Sequence, residues 1–428
     1  MSLTNLHTIS THQSYVSLRD LEIKRAEAPG LLTGSDLSSL APKADVPANS
    51  AVIGYGLDLR KNSIADIQAW YAQAGLGAFL TPNDLVLLAT YQTTPTDANR
   101  QALINSFTHL PDEPAAAALL AAAVGARETQ LNTRLGFVLS ESNERAALMS
   151  MFYNGGAGII GNSLLNALQT DNRAEAWYQI RYNSNNGDTR ITAGQGIANR
   201  RFREGDLFGL YGSGPISDLE SKQVLQMYTK YRDLSLDANG IRAYDAQFSP
   251  TNPNAGSHGI DFEISPARVH LIDNFAEGRA IDGEVLVGQN DLGRGDILEG
   301  TASGDLLFGE QGTDVLRGGV GTDVLYGGEG IDTLSGGADS DLLRGDAGGD
   351  TLQGGTGEDL LEGGAGFDTY IWNTGDGNDR IEDSDADGVI FVNGQMLVGG
   401  VKKAGHADWT SSDGTIHYRM SGTDLTVE

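Results

Sequence analysis

A nine-residue unit repeats through residues 291–371 of this 428-residue chain. The stretch GGVGTDVLYGGEGIDTLS, residues 318–335, contains two copies, each with glycines first, Asp in sixth place and Leu in eighth. A fixed period of this kind is the signature of a solenoid, in which each turn contacts only its neighbours. The repeat therefore predicts a β-solenoid in this part of the chain.

Two positions of the unit stay the same in chemical type across nine copies. Asp recurs every nine residues, at Asp296, Asp305, Asp314, Asp323, Asp332, Asp341, Asp350, Asp359 and Asp368. The eighth position is always apolar: Leu298, Leu307, Leu316, Leu325, Leu334, Leu343, Leu352, Leu361 and Tyr370. We expect the Leu residues to point inward and stack from turn to turn, and the glycine-rich half to form turns that need positive φ.

Carboxylates stacked on the turns would repel one another without a cation between them. Ca²⁺ prefers six to eight hard oxygen ligands, which carboxylates and turn carbonyls supply. Folding of the repeat and Ca²⁺ binding are therefore expected to be coupled. Further candidate ligands lie outside the nine-residue register, at Asp339, Asp346, Asp376 and Asp379.

The distribution of charge supports a cation as ligand. The net charge is −28, and residues 291–371 alone hold 17 acidic against 3 basic residues. This acidity argues against nucleic acid as a partner. The chain has no Cys, and no apolar stretch approaches the 18 residues typical of a membrane-spanning helix.

The unit resembles the RTX repeat G-G-x-G-x-D-x-U-x. This resemblance implies a Ca²⁺-bound parallel β-roll over residues 284–371, followed by a β-rich C-terminal cap and secretion signal region over 372–428. RTX proteins leave the cell by type I secretion, with an uncleaved C-terminal signal. The N-terminus MSLTNLHTISTHQSYV lacks the pattern of a cleaved Sec-type signal, which agrees with that route. The resemblance thus implies an extracellular protein that uses type I secretion machinery.

Upstream of about residue 235 the pattern is helical. Apolar residues recur at three- and four-residue spacing in segments such as NSIADIQAWYAQAG, LTPNDLVLLATYQ and SESNERAALMSMFYNGG. The stretch SAVIGYGLDL, residues 50–59, has the β-branched residues and glycines of a hairpin. We expect a mainly helical α+β domain over 15–232 and a linker over 233–283, with short strands capping the roll over 260–290.

Two carboxylates in this domain have environments suited to chemistry. Glu27 is predicted to end a helix because Pro29 blocks its continuation. The helix dipole there disfavours the charged form, so the pKa of Glu27 should rise, as a general acid requires. Asp58 follows IGYG, whose small residues let a substrate approach the backbone. One protonated and one ionised carboxyl group are the apparatus of glycoside hydrolysis.

The helical domain resembles the phage-type lysozymes, glycoside hydrolase family 24, and particularly their pesticin-like branch. The resemblance lies in the order of four features: Glu27, IGYGLD, SMFYNGGAGIIGNSLLNAL and GIANRRFREGDLFGLY. The resemblance covers about residues 15–232. It implies Glu27 as the general acid and Asp58 as the carboxylate that positions water. It also implies that Asn154 lines the cleft and that Arg200 pairs with or orients the glutamate.

The hairpin departs from the family pattern at one position. The family has Thr before I-G, where this chain has Val52, and Ser50 is the candidate replacement for the missing hydroxyl. Tyr55 is a further candidate for the cleft. This departure leaves open an impaired or altered activity.

The second carboxylate has competitors. In many phage enzymes it follows the glutamate by nine residues, which is the spacing of Asp36 from Glu27. Asp45 is a weaker third candidate, and Asp58 is preferred. The leading hypothesis is a secreted muramidase that acts on peptidoglycan, with Ca²⁺ as structural cofactor and an immunity protein as a further candidate partner. The alternatives are a non-catalytic, Ca²⁺-dependent wall-binding or adhesive protein, and a glycosidase directed at chitin.

Overall fold

The computed structural model divides into two compact units, residues 1–215 with 248–257 and residues 216–247 with 258–428. The structure describes residues 3–27, 43–45, 50–53, 57–59, 62–106, 110–183, 195–232, 259–290, 294–385, 387–397, 400–402, 408–411, 417–421 and 424–427. The first unit is mainly helical and the second mainly β. The two-part fold predicted from the sequence is thereby confirmed.

The helices of the first unit follow the predicted apolar segments. They are α1 His12–Glu27, α2 Ile64–Gln73, α3 Pro82–Thr93, α4 Asp97–Ser106, α5 Glu113–Leu135, α6 Asn143–Gly155, α7 Asn162–Gln169, α8 Arg173–Tyr178 and α9 Gln195–Phe208. Local capping sets several of the boundaries. Thr81 and Asp84 form a capping box at the start of α3, and Gly136 ends α5 in the left-handed conformation with φ 79°.

The predicted hairpin is present as part of a small antiparallel sheet. Its strands are β1 Lys43–Asp45, β2 Ser50–Ile53 and β3 Leu57–Asp58, in the order β1-β2-β3. Val52 pairs with Asp58 across β2 and β3. The antiparallel pairing of β2 with β3 agrees with the predicted hairpin.

In the described part of the second unit, two helices precede the strands, α10 Asp218–Tyr231 and α11 Ile260–Phe275. The sequence boundary at 232 assigned α10 to the first domain, whereas the structure groups it with the β-roll. The expectation of strands immediately after 260 is wrong, because 260–275 is helical. Pro266 obscured this helix in the sequence, but the structure places it on the exposed side of the helix.

The roll is a parallel solenoid of about six turns over residues 285–392. Its first sheet contains β4 Val285–Val287, β6 Leu306–Gly312, β8 Val324–Gly330, β10 Leu342–Gly348, β12 Leu360–Ala365 and β14 Arg380–Glu382. Its second sheet contains β5 Ile297–Glu299, β7 Val315–Val320, β9 Thr333–Ala338, β11 Thr351–Thr356, β13 Asp368–Trp372 and β15 Gly388–Val392. The repeated Leu residues and Tyr370 form the buried core between the sheets, as predicted.

The C-terminal region closes the open end of both sheets with antiparallel strands. Its strands are β16 Gln395–Met396, β17 Gly400–Lys402, β18 Asp408–Ser411, β19 His417–Ser421 and β20 Asp424–Val427. β20 pairs with β14, and β16 pairs with β15. A covered edge no longer offers unpaired backbone groups to another chain. The β-rich cap expected after the roll is therefore observed.

Candidate functional sites

The structure places the residues predicted for the cleft on several elements: Glu27 at the end of α1, Asp45 in β1, Ser50 in β2, Asp58 in β3, Asn154 in α6 and Arg200 in α9. Asp36 and Tyr55 lie outside the described residues. The expected backbone setting of Glu27, at a helix C-terminus, is observed. The roles of these residues stay predictions.

A charged network fixes the helix that carries Glu27. Glu128 on α5 accepts hydrogen bonds from Tyr15 Oη at 2.7 Å and from Arg19 of α1 at 2.8 Å. Arg145 of α6 donates to its other oxygen at 3.1 Å. Burial opposes the charged form, but these hydrogen bonds outweigh it and lower the pKa of Glu128. The network therefore ties α1 to α5 and α6.

The chain that leaves β3 after Asp58 is held by two polar side chains. Gln92 Nε2 on α3 donates to the carbonyl oxygens of Leu59 and Asn62, each at 2.8 Å. Arg127 of α5 donates to the side-chain oxygen of Asn62. Burial lowers the pKa of Arg127. This anchor could not be predicted from the sequence, because its partners are distant in the chain.

A buried ion pair lies beside Arg200 on α9. Arg201, which is 5% exposed, pairs with Glu204 one helical turn later. Glu204 also accepts a hydrogen bond from Ser150 Oγ of α6 at 2.7 Å. Sequence reasoning selected Arg200 and missed its buried neighbour. The three-residue spacing between Arg201 and Glu204 was the signal that it overlooked.

The repeated Asp residues of the roll form two ladders. In each ladder, Oδ1 accepts a hydrogen bond from the backbone N–H of the Asp 18 residues earlier, at 2.6–2.9 Å. Two nine-residue units therefore make one turn, and consecutive Asp residues belong to different ladders. Asp379 ends one ladder by accepting from Asp359 N–H at 3.2 Å across 20 residues.

Seven ladder carboxylates keep one buried oxygen without a hydrogen-bond partner among the described residues. These are Oδ2 of Asp314, Asp323, Asp332, Asp341, Asp350, Asp359 and Asp368. Burial, with a contribution from neighbouring carboxylates, raises the pKa of Asp341 to about 8 and that of Asp350 to about 7. A buried, unpaired carboxylate oxygen costs free energy that a bound cation removes. The ladders therefore have the donor chemistry that Ca²⁺ requires.

The remaining predicted ligands have different surroundings. Oδ2 of Asp296 accepts from Gln289 N–H at 2.6 Å, and Oδ2 of Asp305 accepts from Thr301 N–H at 2.6 Å. Asp376 Oδ2 likewise accepts from a backbone N–H, that of Asn373, at 2.6 Å. Asp339 and Asp346 have positive φ, 78° and 68°. Hydrogen bonds thus already satisfy the carboxylates at the start of the ladders.

Backbone carbonyls are available next to the free carboxylate oxygens. In the described part of the chain, no three His, Cys, Asp or Glu side chains gather as a metal cluster. The glycine turns, however, pack so closely that a Cβ on Gly318 would lie 2.6 Å from Gly336 O and also clash with Asp323 Oδ2. A Ca²⁺ ion here would take its ligands from both carboxylates and turn carbonyls.

Comparison with known families agrees with this division of the molecule. A family model described as phage lysozyme matches residues 93–204. A model described as RTX calcium-binding nonapeptide repeat (4 copies) matches residues 299–334, 317–352 and 335–370. The chain joins a phage lysozyme domain to RTX calcium-binding repeats. No curated protein matches the chain.

The matched ranges define how far each assignment extends. The phage lysozyme match includes Asn154 and Arg200 but begins downstream of Glu27 and Asp58. The RTX matches include all seven ladder residues with a free carboxylate oxygen. Among the residues that the structure describes, no helix is long and apolar enough to cross a membrane.

Proposed function

We propose that this protein is a muramidase that hydrolyses the β-1,4 bond between N-acetylmuramic acid and N-acetylglucosamine in peptidoglycan. The phage lysozyme match over residues 93–204 is the observation that carries the proposal. The helix that ends at Glu27 and the β2–β3 hairpin precede this match in the order that phage-type lysozymes use.

Glu27 and Asp58 are the proposed catalytic pair. At the end of α1 the helix dipole favours the neutral carboxyl group of Glu27, which gives its proton to the leaving glycosidic oxygen. The Asp58 carboxylate takes a proton from the water that attacks the opposite face of the sugar, so the product is expected to have inverted configuration. Asn154 and Arg200 are proposed to line the cleft and to orient the glutamate.

Release of reducing ends from purified peptidoglycan tests this function. We expect Glu27→Gln to lower the rate by at least about 100-fold, the usual contribution of a general acid. Asp97→Asn is the control, because that side chain is 83% exposed on α4. A Glu27→Gln variant with full lytic activity would refute the assignment. Comparing Asp58→Asn with Asp36→Asn identifies the second carboxylate.

The alternatives give different results in the same assay. A chitin-directed glycosidase would release reducing ends from chitin and not from peptidoglycan. A wall-binding protein without activity would sediment with peptidoglycan and release no sugar. Val52 at the position of the family's Thr is the feature that favours this last alternative.

We also propose that the RTX region serves export by a type I secretion system. The seven ladder carboxylates with a free oxygen would keep the roll unfolded where Ca²⁺ is scarce and order it outside the cell. Deleting residues 372–428 tests the location of the signal, and continued export of the truncated chain would contradict it. An immunity protein that protects the producing cell from the muramidase stays a prediction.

A further inference from the structure

The outer face of the first roll sheet differs in chemistry from that of the second. Phe308, Tyr326 and Arg344 lie in register on consecutive strands β6, β8 and β10. The rings of Phe308 and Tyr326 stack at 5.0 Å with an angle of 9° between their planes. On strands β5, β7, β9 and β11 of the second sheet the register-equivalent positions are polar: Glu299, Arg317, Ser335 and Gln353. Apolar residues appear in this row only on the last two strands, at Ile371 and Phe391. One face of the roll therefore offers an aromatic surface.

The C-terminal end of α11 occupies this aromatic surface. Phe275 makes edge contacts with Phe308 at 5.3 Å and with Tyr326 at 5.9 Å. Tyr326 Oη donates a hydrogen bond to the carbonyl oxygen of Phe275 at 2.9 Å. Just beyond the helix, Glu277 pairs with Arg344 at 2.7 Å. Three successive turns of the first sheet thus hold the end of one helix.

The helix α10 is attached to the same surface. Lys222 Nζ lies 4.7 Å from the ring centroid of Phe308 and pairs with Glu310 at 2.5 Å. The hydroxyl group of Thr229 accepts a hydrogen bond from Val287 N–H of β4 at 3.3 Å. Helices of 14 and 16 residues are marginal in water without such packing. Packing against the roll therefore contributes to the stability of both helices, which are also joined by His270 and Asp218 at 2.8 Å.

The strands that supply Tyr326 and Arg344 follow directly after two ladder residues. Asp323 precedes β8 and Asp341 precedes β10, and each retains a buried Oδ2 without a partner among the described residues. A cation at these oxygens would hold the two strands in the register that the helices require. The contacts of Phe275 and Glu277 would be lost if these turns were unfolded.

We propose that the outer face of the first roll sheet is a calcium-dependent docking surface for α10 and α11. Calcium-induced order would then include the helices α10 and α11, which precede the repeats. This inference rests on the proposed binding of Ca²⁺ by the ladders. It assigns α10, which follows the phage lysozyme match, to the part of the chain that responds to calcium.

Hydrogen exchange on the full chain, with Ca²⁺ and with EGTA, tests the inference. In the wild-type protein, we expect Ca²⁺ to slow amide exchange in 218–231 and 260–275 at least about tenfold, together with exchange in 306–365. Phe275→Ala should reduce protection of the two helices while the roll keeps its response. Val269→Ala is the matched control on the same helix, because Val269 is 52% exposed, and it should behave as wild type.

The possible outcomes separate the two proposals. If 306–365 respond to Ca²⁺ but the two helices are equally protected in EGTA, calcium-dependent docking is wrong. If 306–365 do not respond, the proposed Ca²⁺ binding fails, and the docking inference fails with it. Glu277→Gln provides a milder second variant in case Phe275→Ala prevents folding. It should weaken helix protection without changing the Ca²⁺ response of the roll, and unchanged helix protection would contradict a role for the pair with Arg344.

Discussion

The two units differ in how they satisfy carboxylates that are buried or half-buried. In the helical unit, Glu128 accepts three donors and Glu144 accepts from His7 and Arg173, so burial is outweighed and the pKa of each is lowered. In the roll, Asp323 and Asp341 each keep an unpaired oxygen and a raised pKa. Protein donors thus satisfy Glu128 and Glu144, whereas one buried oxygen of Asp323 and of Asp341 has no partner among the described residues.

Removing Ca²⁺ should produce the largest difference between the units. With EGTA, we expect amide protection in 306–365 to fall by at least about 100-fold, because seven buried carboxylates lose their counter-charge. Protection in α5 should change by less than about twofold, since its half-buried Glu128 has protein partners. Hydrogen exchange measures both, and Mg²⁺ in place of Ca²⁺ is the control. Equal loss of protection in the two units would contradict the expectation that, of the two, only the unit with the roll responds to Ca²⁺.

Acid should stabilise the metal-free roll, as Ca²⁺ is proposed to do, and destabilise the helical unit. The pKa of Asp341 is raised to about 8, and an unfolded Asp titrates near 3.8. Below about pH 4, ionisation of Asp341 therefore does not reduce the free energy of unfolding of the metal-free roll. As the pH rises towards about 8, that free energy falls. The lowered pKa of Glu128 has the opposite effect: its stabilising contribution is present above pH 4.5 and is lost on further acidification.

Circular dichroism of the metal-free protein between pH 8 and pH 5 checks this contrast. We expect β-structure to increase as the pH falls while the helical signal is retained. The calcium-loaded protein is the control, and its spectrum should change little over the same range. A metal-free roll that stays unordered at pH 5 would show that carboxylate repulsion is not what keeps it unfolded.

The sequence predicted the roll better than it predicted the elements next to it. The nine-residue spacing of Asp and Leu determines the solenoid directly, because each turn repeats the same contacts. The helix α11 was missed because Pro266 interrupts a pattern whose buried positions, Ile260, Ile264, Ala267 and Leu271, are nevertheless helical in spacing. The anchor of Gln92 on Leu59 was not predictable, since it depends on how distant elements pack.

Within the roll, the position of an Asp should determine how much it contributes to Ca²⁺ affinity. Asp332→Asn removes charge at a free buried oxygen, so we expect the Ca²⁺ concentration at the folding midpoint to rise about tenfold. Asp305→Asn changes a carboxylate whose oxygens already accept backbone N–H groups. It should lower stability but move the midpoint by less than about twofold. A Ca²⁺ titration followed by circular dichroism compares the two variants. Equal shifts of the midpoint would mean that the start of the ladders, at Asp305, also binds metal.

In the helical unit, the smallest effect is expected from Gln92→Glu. The carboxylate would face the carbonyl oxygens of Leu59 and Asn62 in place of the amide that donates to both, so the chain after Asp58 should shift slightly. A displaced catalytic carboxylate lowers kcat rather than raising KM, and we expect a loss of about threefold to tenfold. Gln101→Glu on the exposed side of α4 is the matched control. A lower melting temperature with unchanged kcat would mean that Gln92 stabilises the unit without positioning Asp58.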